Sequence, residues 1–418
     1  MKNSKEIVRK ALNHITSEKI PLDLGSTSVS GIHVTCVSEL RQYYGLENRP
    51  IKVIEPYQML GEIEDDLLEV IGIDTVPFPS QYTIFGFKNE DWKEFMAPWG
   101  QLLLVPQSFR TTKDINGDLL IYPQGDTKAP PSGRMPTNSY FFDTIIRQQP
   151  IDEEKLNPLD NLEEFSIISD DDLKWYAMQA KIMASSERAI VAGIGGTAFG
   201  DIAFVPAPFL KYPKGIRDIE EWYISTITRQ DYIHQIFSKQ CEIAIKNLKR
   251  IHSILSDVID VIYICGTDFG TQISTFCSIE TYENLYSPYY KEINNWIHQN
   301  TRWKTFKHSC GAIEPLISHF INSGFDIINP VQCSAVGMNP KELKKKYGKY
   351  IVFWGGGVET QNTLPFGTPE QVRKEVLQRC EIFYSEGGFV FSPTHNIQAR
   401  TPIRNIIAMI DAVREFNG

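Results

Sequence analysis

His308-Ser309-Cys310 sets an imidazole and a thiol two residues apart at the end of a strand pattern, and His395 follows a later strand end. Side chains alternate faces along a strand, so His308 and Cys310 point the same way. Imidazole nitrogen and thiolate sulfur are the ligand types that zinc prefers. Three protein ligands with a fourth position open is the pattern of a catalytic zinc rather than a structural one. A lone His-x-Cys says little. Its weight comes from the elements that place it.

Those elements alternate. Strand patterns fall at residues 20–25, 71–76, 188–193, 260–266, 302–308, 325–329, 350–355 and 388–392. Helical patterns fall at 57–70, 171–186, 219–256, 279–300, 313–323, 339–347, 368–386 and 401–416. Thr368-Pro369 and Thr401-Pro402 each read as an N-cap followed by a first helical proline. Eight strands alternating with helices indicate an α/β chain folded as a (β/α)8 TIM-type barrel over residues 1–418. A doubly wound sheet is the alternative, but no Gly-x-Gly-x-x-Gly follows the first strand. The connection from residue 76 to residue 188 is far longer than an ordinary loop. Within it, residues 101–109 and 118–122 flank a turn containing Asn116-Gly117, a strong hairpin signal. This predicts an inserted β-hairpin subdomain at 80–165, over the barrel mouth or at its edge.

Barrels of this kind place their chemistry at the C-terminal ends of the strands. Asp23, Asp74, the 193–196 glycine loop, Asp268, His308, Cys310, Asn329, Gln332, Glu359 and His395 all fall there. The spacing predicts zinc on His308, Cys310 and His395, and a catalytic role for Asp268 and His395. Asp23, Asp74, Asn329, Gln332 and Glu359 are candidates for substrate contact. Each also has a bland reading. A strand-end histidine is often structural, an acid can cap a loop, and tight βα turns need glycine in any case.

Bulk properties exclude some partners. Lys and Arg number 42 against 51 Asp and Glu, a net charge of −9, which argues against general nucleic-acid or anionic-membrane binding. The basic run 341–349 sits at a helix end, where cations are favoured. No run of about 18 apolar residues is present, so no membrane helix is predicted. The first residues lead into an amphipathic helix and lack the apolar core of a signal peptide. Seven scattered cysteines, without a Cys-x-x-Cys, read as a reduced set. A cytoplasmic protein is expected.

Residues 260–270, Ser287-Pro-Tyr-Tyr290, Lys307-His-Ser-Cys-Gly311, 313–326, Phe353-Trp-Gly-Gly-Gly357 and the stretch from Phe391-Ser-Pro-Thr-His395 to Ala412 resemble the uroporphyrinogen decarboxylase superfamily. So do residues 4–14 and Ile20-Pro-Leu-Asp23. The resemblance implies a (β/α)8 barrel, and it admits two chemistries. The decarboxylases of that superfamily carry Arg-Gln-Ala-Gly-Arg after the first strand. Here Leu24-Gly-Ser-Thr-Ser-Val-Ser-Gly31 has no arginine. A substrate with many carboxylates needs such fixed cations. The other branch, corrinoid-dependent methyltransferases, is similar to this chain in its His-x-Cys at the fifth strand. Its third ligand is usually cysteine, where His395 stands here. The resemblance therefore implies zinc-dependent transfer of a methyl group between a corrinoid (cobalamin) protein and a thiol or other small acceptor. The corrinoid would arrive on a partner protein, because no Asp-x-His-x-x-Gly is present. The alternative is metal-independent decarboxylation of a small acid, with Asp268 stabilising the intermediate and His395 as acid. A third reading is a corrinoid or tetrapyrrole binding protein.

Overall fold

A computed structural model describes residues 4–418. Seven parallel strands form one sheet in chain order: Thr75–Pro77, Ala189–Ala192, Val261–Cys265, Lys304–His308, Ile327–Asn329, Val352–Trp354 and Phe389–Val390. Residues 20–24 close it into a barrel. Asp23 N–H donates to the Phe391 carbonyl (2.8 Å), Phe391 N–H to that of Pro21 (2.9 Å), and Asp74 N–H to that of Leu22 (2.8 Å). The first expected strand therefore bonds to both edges of the sheet, and the (β/α)8 fold read from the alternation is the fold observed.

Strand periodicity sorts the core into two layers. Ala189, Val191, Val261, Phe306, Ile327, Val352, Trp354 and Val390 pack inside the barrel. Val8, Ala11 and Leu12 of helix Ser4–Leu12 plug that interior at the N-terminal end of the strands. The alternate positions, among them Ile190, Ile262, Ile328, Phe353 and Phe389, face the surrounding helices. Strands buried on both faces are expected to read as continuous apolar runs, as Ala189–Ala192, Val261–Cys265 and Val352–Trp354 do, whereas Lys304–His308 does not. Of the two Thr-Pro sites, Thr368 forms a capping box with Gln371 at the start of Pro369–Tyr384. Thr401 instead donates its hydroxyl to the Gln398 carbonyl, and helix Ile403–Asn417 begins after Pro402.

Three stretches, two of them outside the insertion, depart from expectation. Residues 57–70 are not one helix. Ile51–Glu55 and Leu60–Gly61 are strands, and only Asp65–Ile71 is helical. The former two join Leu102–Val105 and Lys93–Met96 in a small sheet. The Asn116-Gly117 hairpin is present, with Gly117 at φ +84° and Asp114 N–H donating to the Asp118 carbonyl. Its arms are Thr111–Lys113 and Leu119–Ile121, not 101–109. Pro106 carries no N–H to continue a ladder, so 102–105 ends there and pairs elsewhere. Gly133–Met135 and Asp143–Thr144 extend the hairpin to four strands. The expected helix 219–256 breaks at Arg229 into Ile219–Thr228 and Gln230–Leu255. No described helix is long and apolar enough to cross a membrane.

Candidate metal centre

His308 ends the fifth barrel strand, and the Ser309 N–H still pairs with the Asn329 carbonyl at 2.7 Å. Cys310 lies just beyond, and His395 follows the eighth strand. Ligand atoms of His308, Cys310 and His395 all lie within 4.8 Å of one another. No other group of this kind occurs among the described residues. His308 Nε2 is 3.4 Å from Cys310 Sγ, and the two imidazole rings are 5.9 Å apart at 68°. His308 is buried, while Cys310 and His395 are partly exposed at the mouth.

The hydrogen bonds fix which nitrogen of His308 is free. Asn329 Nδ2 donates to the Trp354 carbonyl at 2.8 Å, which sets the amide orientation. Asn329 Oδ1 then faces His308 Nδ1 at 2.6 Å and can only accept. Nδ1 therefore carries the proton, and Nε2 presents its lone pair toward Cys310. A metal-binding histidine is commonly oriented by such a partner. Burial pushes His308 down to about 4, against the raising effect of the Asp268 carboxylate 3.9 Å from Nε2. Burial also lowers His395, opposed by Asn396 and Asp268. Burial, reinforced by Asp268, raises the Cys310 thiol well above its ordinary value. Without metal the trio is thus two neutral imidazoles and a protonated thiol. A metal would have to displace that one proton.

Asp268 Oδ1 accepts the Cys310 N–H at 2.7 Å, tying the loop after the fourth strand to the Cys310 loop. Gln332 Oε1 takes the Gly311 N–H at 2.8 Å. A Cβ at Gly311 (φ +90°) would lie 2.4 Å from the Gly270 backbone, so these loops meet only because both residues are glycine.

Each of the five residues expected to touch substrate has hydrogen-bond partners within the fold. Asp23 is fully buried and accepts from Thr75 Oγ (2.8 Å), Trp354 Nε1 (2.7 Å) and the Ser26 N–H (3.1 Å). Asp74 accepts from Ser4 Oγ (2.5 Å) and the Leu22 N–H (2.9 Å), which helps close the barrel. Glu359 caps the backbone N–H groups of Gln361, Asn362 and Thr363. Asn329 and Gln332 bond to His308 and to the Gly311 N–H. Strand-end position does not tell an inward-facing acid from one satisfied within the fold.

Two ionisable groups near the centre are not among the residues that the sequence singles out. Asp201 is buried and accepts from the Gly266 N–H (2.9 Å) and the Ala203 N–H (3.0 Å). Burial, with the Asp268 charge adding, raises it to about 6. Its signal was an acid shortly after the 193–196 glycine loop. The other is Lys307, in the strand Lys304–His308.

Residues 152–416 match the family model described as uroporphyrinogen decarboxylase (URO-D). The chain belongs to the URO-D family. A uroporphyrinogen decarboxylase of Pseudoalteromonas translucida (strain TAC 125) is 23% identical over 205 residues, 47% of this chain and 57% of that protein. The chain thus matches little more than half the length of that URO-D relative. Among solved structures, a methyltransferase from Methanosarcina mazei superposes with a TM-score of 0.55 at 16% identity, covering 100% of both chains. It shares the URO-D barrel fold with this chain.

Proposed function

We propose that this URO-D barrel is a zinc-dependent methyltransferase, moving a methyl group between a corrinoid carried on a partner protein and a thiol or other small acceptor. The observation that carries the reading is the convergence of His308, Cys310 and His395 at the mouth, with Asn329 fixing the His308 tautomer. Zinc held there would act as a Lewis acid on one further ligand and keep a thiol as thiolate. Two imidazoles and one thiolate leave a net charge of about +1 on zinc, against about 0 for one imidazole and two thiolates. Asp268 keeps Cys310 in place and has its side chain partly exposed toward an incoming substrate. We read residues 1–418 as one barrel unit with 80–165 as its insertion. Seven free cysteines and a thiol ligand suit a reducing compartment, and we place the protein in the cytoplasm.

A second reading, metal-independent decarboxylation, draws on the name of the P. translucida relative and on the Asp201 and Asp268 carboxyls. It is opposed by the 24–31 loop, which has no arginine to hold a polycarboxylate. Zinc content and methylcobalamin consumption with added thiols separate the two. Zinc-dependent loss of methylcobalamin supports methyl transfer. Zinc-free protein that releases carbon dioxide from a carboxylated substrate overturns it.

The titration states give a pH test. Between pH 7 and 9, apparent zinc affinity is expected to rise about tenfold per pH unit, because one proton leaves with Cys310. Both imidazoles are held below their ordinary value and contribute none. Chelator competition across this range checks it. A flat profile would mean that the thiol is already ionised, and a slope of two would mean that an imidazole is still protonated.

A further inference from the structure

Lys307 precedes His308 and so points to the opposite face of the strand, out of the barrel interior and into the helix layer. Its side chain is fully buried (0% exposed). Among the described residues it makes no ion pair. Its ammonium donates to the carbonyls of Thr267 and His308, each at 2.6 Å. The rings of Phe269, Phe320 and Tyr290 surround it at 4.8, 5.6 and 6.0 Å. A buried ammonium without a carboxylate partner is among the costlier groups a fold can hold, and methionine would fill the space without that cost. Rings and carbonyls offset part of the cost.

Its two acceptors are informative. Thr267 precedes Asp268, and the His308 carbonyl leads into Ser309-Cys310. One ammonium therefore joins the loop that carries the acid to the loop that carries two ligand candidates. Two bonds already link the same loops: one to a carboxylate, Cys310 N–H to Asp268 Oδ1, and one neutral, Phe269 N–H to Ser309 Oγ (2.9 Å). Charge-assisted bonds hold geometry more firmly than neutral ones. The positive charge also lies within reach of Asp201 and of Cys310.

We propose that Lys307 is a positioning residue of the metal centre, a charged clamp that locks the 266–270 and 308–312 loops in ligand geometry through their backbones. It rests on the metal-centre reading above. Lys307→Met keeps length and bulk while removing charge and donors. Three measurements test it: amide hydrogen exchange of metal-free protein, zinc affinity by chelator competition, and the visible spectrum of cobalt(II)-loaded protein. The clamp predicts faster exchange confined to 266–270 and 308–312. It also predicts a zinc affinity lower by about tenfold or more, the size of a lost ligand-orienting contact, and an altered sulfur-to-cobalt band. Wild-type exchange, affinity and spectrum in the variant overturn it and leave Lys307 as packing. Should Lys307→Met fail to fold, Lys307→Gln is read in the same way. If wild-type protein takes up no zinc, the metal reading fails by itself, and the exchange measurement still decides the clamp.

Discussion

Purified Cys310→Ala protein is expected to hold almost no zinc, against about one equivalent per wild-type chain. The thiolate is the one anionic ligand of the trio, and without it two neutral imidazoles at the mouth must compete with water. Losing an orienting contact outside the ligand shell already costs about 10- to 100-fold in affinity, and losing a ligand costs more than about 100-fold. The fold should survive. Cys310 is partly exposed, and its backbone N–H, not its sulfur, holds Asp268. The melting point of metal-free variant and metal-free wild type should therefore differ little. His395→Cys makes the complementary test. It rebuilds one imidazole and two thiolates, and is expected to retain zinc at least as well as wild type. Elemental analysis after dialysis, alongside calorimetry, reads both variants. Full zinc in Cys310→Ala would sink the three-ligand assignment.

The barrel was legible because its signal is one-dimensional. Apolar runs such as 260–266 and 350–355, each followed by a glycine turn and a helical period, need no knowledge of partners. The first strand was legible only as a short run. Its backbone bonds to Phe391 and Asp74 are made with the far end and the near end of the chain, and sequence does not show such closure. The insertion was legible as an anomaly of length but not in detail. Residues 102–105 pair antiparallel with 93–96 across the short turn 97–101, but also in parallel with 51–55, and pairing at that separation leaves no local trace. The Asn116-Gly117 turn was legible because Gly117 adopts a backbone angle that other residues rarely take.

At the site, residue type and strand-end position were enough to bring His308, Cys310 and His395 forward. They were not enough to sort the acids. Asp23 and Asp268 both follow strand ends, yet one is sealed behind Trp354 and the other stays partly exposed. The difference lies in donors from other strands, Thr75 and Trp354, which pattern reading cannot pair. The bond from Asn329 to His308 joins two strands and has no trace in residue type. Lys307 was hidden by its own surroundings, since one more cation in the polar run Lys304-Thr-Phe-Lys-His308 looks solvent-facing until the helices are seen to cover it.

Asp23→Ala is expected to destabilise the metal-free protein by about 3–5 kcal/mol, although Asp23 sits at the rim where substrate groups usually lie. Its carboxylate receives donors from the second strand (Thr75), from the seventh (Trp354) and from its own loop (Ser26). Alanine leaves all three donors buried without an acceptor, at about 1–3 kcal/mol each when unrelieved. Partial relaxation or an entering water brings the sum down to the stated range. Asp23→Asn keeps the shape but presents an amide N–H to at least one donor, so its loss should be smaller and still clear. The damage should also reach the metal centre. The Trp354 carbonyl orients Asn329, and Asn329 sets the His308 tautomer, so a seventh strand loosened at Trp354 weakens the hold on Nε2. Zinc affinity should fall, though less than in Cys310→Ala. Urea unfolding with chelator competition measures both effects. If Asp23→Ala unfolds like wild type while substrate turnover is lost, the carboxylate serves the substrate rather than the barrel.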